Sequence, residues 1–360
     1  MAKAPLRIAV IGAGLIGRRH IDCVRDEPGA ALAGVVEPDQ RVAAAVGETG
    51  VTVRRDIDAL AAAGPVDAAI VATPNAAHRE GAMDCLRRGW AVLVEKPIAD
   101  TPEAGAEIVA AAKERGAPLL VGHHRRHHDC VAVARRLIAE GGLGRLAAVS
   151  VQWAARKPDE YFAQAWRMSA AGGPVMINLI HDIDLLRHLC GEIVGVTAET
   201  GSALRGGEVE DSAAVLLRFA DGALGTITLT DSALSPWSWE AASGENPGIA
   251  AGGQAPYRLM GTQASLELPS MRLWRADHAG ADWSTPLECE TVPSRRTDPL
   301  PAQLRHFIAV ARGEALPLVG GEDGLATLVA TRAVIESAST HKTVRLGGGP
   351  ENQPVGERIG

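Results

Sequence analysis

Gly12-Ala13-Gly14-Leu15-Ile16-Gly17 follows directly on the apolar run Ile8-Ala9-Val10-Ile11, and an acid, Glu37, closes a second apolar run about twenty residues further on. Residues of these types at this spacing suit dinucleotide binding. Gly12 lets the chain turn sharply out of a first strand, Gly14 lets the backbone approach a pyrophosphate, and Gly17 lets the next helix pack closely on the strand. Leu15 and Ile16 open that helix, whose unpaired N–H groups and positive dipole end face the phosphates. In a chain with 40 glycines the spacing alone says little. The strand before it, the helix after it and the acid beyond separate it from an ordinary strand-to-helix turn. A carboxylate at Glu37, with Asp39 beside it, accepts from ribose hydroxyls and repels a 2′-phosphate, while Arg41 lies beyond both acids. NAD is therefore expected in preference to NADP.

These groups need a scaffold, and length and composition bound it. At 360 residues the chain fits two domains, and 46% hydrophobic with 22% charged residues is a globular composition. A net charge of −7 speaks against a nucleic-acid or anionic-membrane partner. No apolar stretch has membrane-spanning length, and Met1-Ala2-Lys3-Ala4-Pro5 runs straight into a strand without space for a signal peptide. Cys23, Cys85, Cys130, Cys190 and Cys289 are odd in number and scattered, as expected of reduced thiols in a cytoplasmic protein.

The first 120 residues alternate apolar runs (7–11, 31–36, 68–72, 91–94, 119–121) with amphipathic stretches, the pattern of a parallel sheet with crossover helices. One helix has a clear entry at Thr101-Pro102-Glu103 and an exit at Gly116 before Pro118. After residue 122 a helix over 130–140 leads into β-type runs at 146–153, 193–200, 213–219 and 224–230, with Asp221-Gly222 as a hairpin turn. Runs at 257–260, 265–268 and 271–274 continue the pattern, and 243–255 reads as a loop. The fold expected is an α/β Rossmann domain over 1–122, then an α+β domain over 123–346 with a large, mainly antiparallel open sheet. The tail 347–360 has almost nothing to bury and is expected to be disordered.

Two more segments carry a resemblance. One is Ala72-Thr73-Pro74-Asn75-Ala76-Ala77-His78, followed by Gly89-Trp90-Ala91-Val92-Leu93-Val94-Glu95-Lys96-Pro97; the other is Gly172-Gly173-Pro174 leading to His181-Asp182-Ile183-Asp184-Leu185-Leu186. With the glycine motif, in this order over residues 6–346, they resemble the glucose–fructose oxidoreductase / inositol dehydrogenase / rhizopine-catabolism (Gfo/Idh/MocA) family. The resemblance implies a Rossmann domain, a second domain with an open antiparallel sheet, and dimers or tetramers formed through that sheet. It also implies that Lys96 is the active-site lysine and His181 the catalytic histidine. By the same match Thr73, Pro74, Asn75 and His78 line the nicotinamide side of the cofactor, and Glu95 makes a further cofactor contact.

Hydride exchange at a carbinol carbon needs one group to move the hydroxyl proton and another to stabilise charge on the oxygen. Lys96 lies at the carboxyl end of a parallel strand, where such sheets bind ligands, and its ammonium suits the second task. Residues 174–189 read as a helix on which Asn178, His181 and Asp182 share one face, and the histidine suits the first task. The family's usual pattern has an aspartate four residues before the histidine; Ile177 stands there. The partner of His181 is thus open between Asn178, counted here as catalytic, and Asp182, counted as a substrate contact.

His123-His124-Arg125-Arg126-His127-His128-Asp129 invites a metal reading, with His123 and His127 on one helix face. No further ligands converge in the sequence, so no metal is expected. His124 and Arg126 are read as contacts to an oxygen-rich substrate. Lys157, Tyr161, Trp166 and Arg167 fall in a stretch that borders the substrate in relatives, and Trp237, Trp239 and Glu240 could form another wall or simply pack. The leading reading is an NAD-dependent dehydrogenase acting on a secondary alcohol of a sugar, inositol or cyclic diol. Two alternatives are a redox glycosidase that loosens a glycosidic bond by transient oxidation, and a non-catalytic dinucleotide sensor.

Overall fold

The computed structural model describes residues 3–169 and 172–347, the side chains of residues 165 and 166 excepted. In chain order the first elements are β1 (Leu6–Ile11), α1 (Leu15–Asp26), β2 (Ala30–Val36), α2 (Gln40–Gly47), β3 (Val53–Arg54), α3 (Ile57–Ala63) and β4 (Ala68–Val71). Then come α4 (His78–Arg87), β5 (Ala91–Val94), α5 (Pro102–Arg115), β6 (Leu119–Val121), α6 (Asp129–Ala139), β7 (Leu146–Ala154) and α7 (Ile180–Cys190). The rest are β8 (Ile193–Gly201), β9 (Ser212–Phe219), β10 (Leu224–Thr230), α8 (Trp239–Ser243), β11 (Tyr257–Gly261), β12 (Ala264–Leu268) and β13 (Arg272–Arg275). Last are β14 (Glu288–Thr291), α9 (Pro299–Ala311), α10 (Gly321–Thr340) and β15 (Val344–Arg345).

The chain divides into two compact units. The first runs through Ala134 and takes in Ile183–Leu185 and Ser294–Val329; the second holds the remainder. In the first, six strands form a parallel sheet in the order β3-β2-β1-β4-β5-β6. Every residue of β4 and β5 is buried, as a sheet covered on both faces requires, so these strands read as unbroken apolar runs. α5 begins and ends on the residues that the sequence marks: Thr101 Oγ1 accepts from Ala104 N at 3.2 Å, and Gly116 is left-handed. The first unit also takes in α9, which returns from far along the chain. Its Leu304, Phe307 and Ile308 pack in one core with Ile8, Val10, Ile21 and Val24.

The second unit carries a nine-stranded sheet in the order β14-β13-β12-β11-β7-β10-β9-β8-β15. It is mainly antiparallel, with β7 and β10 paired in parallel. β9 and β10 alternate strictly: Ala213, Val215, Leu217, Ile227 and Leu229 are buried, while Ala214, Leu216, Arg218, Thr226 and Thr228 are exposed. On these two strands the exposed face is mixed, with Ala214 and Leu216 beside Arg218, Thr226 and Thr228.

Two local expectations change. His124–His127 is a 3-10 turn, so His123 and His127 do not share an α-helical face. Residues 174–189 form one continuous helical run, but Val175–Leu179 is a π-helical turn before α7 starts at Ile180. A turn of that kind shifts the register by a residue, and Asn178 falls inside it while His181 and Asp182 lie beyond. Apart from Gly347, the tail 347–360 lies outside the described residues.

Candidate active site

In the first unit the carboxyl ends of β1, β2, β4 and β5 form one edge of the parallel sheet. Gly12 follows β1 at φ 97°, and a Cβ there would stand 2.7 Å from the Ala72 carbonyl oxygen. A Cβ on Gly17 would stand 2.1 Å from the Gly12 oxygen, whereas Gly14 has nothing within 4 Å. Strand, loop and helix thus touch at Gly12 and Gly17 while the Gly14 backbone stays open. α1 has no side-chain cap, and Leu15 at its first turn is 84% exposed with Ile16 half-buried behind it. These residues fit a dinucleotide pyrophosphate.

Glu37, just past β2, turns its carboxylate onto the same loop. Oε2 accepts from Ala13 N and Oε1 from Asp39 N, each at 2.9 Å. That fixes the side chain at the mouth of α1 and leaves lone pairs for ribose hydroxyls. Asp39 caps α2 through Arg41 N and Val42 N, and these N–H bonds hold its pKa below the ordinary value.

After β4 the chain runs Thr73-Pro74-Asn75 into a short turn and α4. The Thr73 hydroxyl is buried with no hydrogen-bond partner among the described residues. His78 is buried at the start of α4, with Nδ1 2.7 Å from the Pro97 carbonyl oxygen and Nε2 2.9 Å from that of Thr73. Burial lowers its pKa, against the pull of the two carbonyls.

β5 leads to Glu95 and Lys96. Lys96 is half-buried, and Glu95 is 4% exposed. Glu95 Oε1 meets His20 Nε2 of α1 at 2.7 Å, and Oε2 accepts from Lys96 N at 3.1 Å. Burial raises the Glu95 pKa, but its bond to His20 and the nearby positive groups overcome this and bring it down to about 2. The carboxylate expected on the cofactor is thus turned inward, where it braces the backbone of Lys96. His20 escaped the sequence reading, although a histidine among the buried positions Gly17, Ile21 and Val24 of α1 was the available signal.

The histidine-rich turn is also largely internal. Arg126 gives Nε and Nη2 to Asp184 at 2.9 and 2.7 Å and Nη1 to Asp323 at 2.5 Å, while Thr327 Oγ1 donates to Asp184 at 3.1 Å. The Arg126 guanidinium, expected on substrate, is engaged by these carboxylates and 4% exposed. His123 is fully buried, which drives its pKa to about 4, and His127 stacks with His306 at 5.3 Å between ring centroids. His124 is half-buried. Among the described residues no three His, Cys, Asp or Glu side chains converge as a metal site.

In the second unit His181 is 7% exposed and Asp182 fully buried. Asp182 Oδ1 accepts from the Tyr257 hydroxyl of β11 at 2.5 Å, a partner that no sequence spacing signals. Asn178 Oδ1 is buried without a hydrogen-bond partner among the described residues. Lys157 lies 3.3 Å from Asp231 and 4.9 Å above the Tyr161 ring, and burial lowers its pKa against the pull of Asp231. Arg167 stacks on Tyr161 at 3.9 Å and donates to the Tyr161 carbonyl. Trp166 belongs to the turn Ala165–Met168, and its side chain lies outside the described residues. Trp239 and Glu240 are buried and pack internally: Trp239 donates to Glu245, and Glu240 accepts from Trp153.

Residues 6–123 match the family described as "Oxidoreductase family, NAD-binding Rossmann fold", and residues 131–267 match the "GFO/IDH/MocA C-terminal domain". The chain is 29% identical to 1,5-anhydro-D-fructose reductase of Ensifer adhaerens, over 94% of this chain and 98% of that protein. It is 27% identical to inositol 2-dehydrogenase of Rhizobium meliloti, over 95% and 99%. Among solved structures, the WlbA dehydrogenase of Bordetella pertussis in complex with NADH and UDP-GlcNAcA superposes with a TM-score of 0.77 at 25% identity, covering 95% of this chain and 99% of that one. With both domain matches in chain order, and with a glycine loop, Glu37 and Lys96 set out along one sheet edge, this chain belongs to the Gfo/Idh/MocA family of NAD-binding oxidoreductases.

Proposed function

We propose that the protein is an NAD-dependent dehydrogenase of a CH–OH group in a sugar, inositol or related cyclic polyol. One observation carries the reading: Lys96 follows β5 on the sheet edge that also bears the glycine loop, Glu37 and the 73–75 loop. Bound nicotinamide would supply the hydride acceptor or donor. Lys96 would hold the substrate oxygen and favour its alkoxide-like form. His181 would move the hydroxyl proton, with Asn178, whose buried Oδ1 has no hydrogen-bond partner among the described residues, as its proposed partner. Glu37 would hold the adenosine ribose and disfavour NADP. Lys157, His124 and Arg167 are the proposed substrate contacts; Glu95 and Arg126 act as internal braces. The relatives named for anhydrofructose and inositol support the substrate class. We further assign a cytoplasmic location and a dimer or tetramer built on the open sheet face.

The test is a screen of polyols, aldoses, uronates and cyclic diols with NAD, read as NADH absorbance. A substrate whose turnover falls with Lys96→Ala supports the reading. NAD binding without turnover of any such alcohol, in either direction, would overturn it.

A further inference from the structure

His78 faces two groups that can only accept hydrogen bonds. Its Nδ1 lies 2.7 Å from the Pro97 carbonyl oxygen and its Nε2 2.9 Å from that of Thr73. A neutral imidazole carries one N–H, so it can satisfy one carbonyl and must set a lone pair against the other. The ring is 1% exposed, which leaves little room for water to relieve that contact. Donating to both carbonyls at once takes the imidazolium.

We propose that His78 is a positioning residue, a proton-gated clasp that ties the 73–75 loop to the Lys96–Pro97 step and grips both only when doubly protonated. The inference rests on the NAD-site part of the reading above. The groups that bear on the ring come from several elements. Glu95 favours the charged form and Lys96 opposes it, while on the helices Glu80 flanks it and Arg79 is paired with Glu107 of α5. Burial opposes the charge more strongly than any of these, and the two carbonyls act against burial. The ring is therefore a group whose proton can be lost, and losing it frees one of the two segments. The 73–75 loop also carries the Thr73 hydroxyl, buried and without a hydrogen-bond partner among the described residues, which is a polar group ready for a ligand. A ligand that orders this loop favours the clasped form and must therefore favour the proton. By linkage, NAD binding takes up a proton at His78, and NAD affinity falls as pH rises through the titration.

The experiment is calorimetric titration of NAD into the full-length protein without substrate, from about pH 5 to 8, in buffers of different ionisation enthalpy. The native protein should take up as much as about one proton per NAD. Its affinity should fall about tenfold across the transition, the scale of one hydrogen bond from a charged donor. His78→Gln should abolish both the uptake and the pH dependence. Equal uptake in His78→Gln, or none in the native protein, would overturn the clasp. Should the variant not fold, ¹⁵N spectra of the histidine-labelled native protein decide. NAD must convert one ring from a single protonated nitrogen to two, and a spectrum in which no ring changes refutes the proposal. Since no substrate is present, failure here leaves the dehydrogenase reading standing, and failure to find a substrate leaves the clasp standing.

Discussion

Replacing Glu37 tests cofactor choice where the geometry is most specific. Its two oxygens accept from Ala13 N and Asp39 N at 2.9 Å each, which aims the remaining lone pairs at whatever lies over the mouth of α1. Glu37→Ala would remove the charge-assisted bonds proposed to the ribose hydroxyls. Such bonds contribute about 1.5–3 kcal/mol, and the low end applies to a half-exposed side chain, so NAD should bind about tenfold more weakly. NADP behaves oppositely. A carboxylate and a phosphate charge 4 Å apart repel by about 4 kcal/mol at an effective dielectric of 20, and screening at this half-exposed position reduces this to about 1–2 kcal/mol. Relief of that repulsion should tighten NADP about 5–30-fold and move the NAD:NADP ratio by about two orders of magnitude. Glu37→Gln separates the causes, since it removes the charge while keeping one acceptor. Affinities follow from calorimetry or from quenching of tryptophan emission. Equal affinities for the two cofactors in the native protein, or an unchanged ratio in Glu37→Ala, would refute the assignment.

Five other outcomes are expected. Lys96→Ala should lower kcat by roughly 100–1,000-fold with NAD affinity nearly unchanged if, as proposed, the ammonium acts on the substrate oxygen; a matching loss of NAD binding counts against the role. His181→Ala should cost roughly 100–10,000-fold and flatten the pH–rate limb near neutrality. Asn178→Ala should lower the rate without abolishing it, whereas Asp182→Asn should mainly cost stability, since the buried carboxylate holds Tyr257; denaturation midpoints beside steady-state rates separate the two. Asp184→Asn should cost about 1.5–3 kcal/mol in chemical denaturation because it takes one of the two carboxylates from the buried Arg126 guanidinium, and a cost near that of an exposed pair, below about 1 kcal/mol, would show that the network is not a brace. Light scattering at micromolar concentration should give a dimer or larger, and a monomer would remove the sheet-face interface.

What was legible in the sequence is what depends on local pattern. β4 and β5 are apolar throughout because both faces of their sheet are covered. β9 and β10 alternate because one face of theirs is open. The glycine loop and the Thr101 cap also stand on single residues whose conformation or hydrogen bonding is set within a few positions. The return of α9 to the first core was not legible, since an amphipathic helix does not announce which apolar surface it will cover. Nor was the π-helical turn at Val175–Leu179, whose extra residue per turn leaves no compositional trace.

At the site the same division recurs by residue. Spacing singles out Glu37 and Gly12, but not the Ala13 N–H that Glu37 accepts from or the Ala72 carbonyl that Gly12 lies against. Glu95, Arg126 and Asp182 are polar residues in chemically suggestive motifs, yet their partners His20, Asp184 with Asp323, and Tyr257 lie far off in the chain. The resemblance implies a cofactor contact for Glu95, the guanidinium of Arg126 suggests an oxygen-rich substrate, and Asp182 stands next to His181; burial gives all three internal partners instead. The consequence is mechanistic. A carboxylate bonded to His20 and to the Lys96 backbone cannot also titrate in the working range, and its low pKa means that its stabilisation is present above the ordinary glutamate value and lost only as pH falls toward about 2. The proton chemistry therefore falls to the histidines. Of these, His181 is assigned to the substrate and His78 to the loop beside Lys96, so the pH–rate profile should carry two separable contributions, one removed by His181→Ala and the other by His78→Gln.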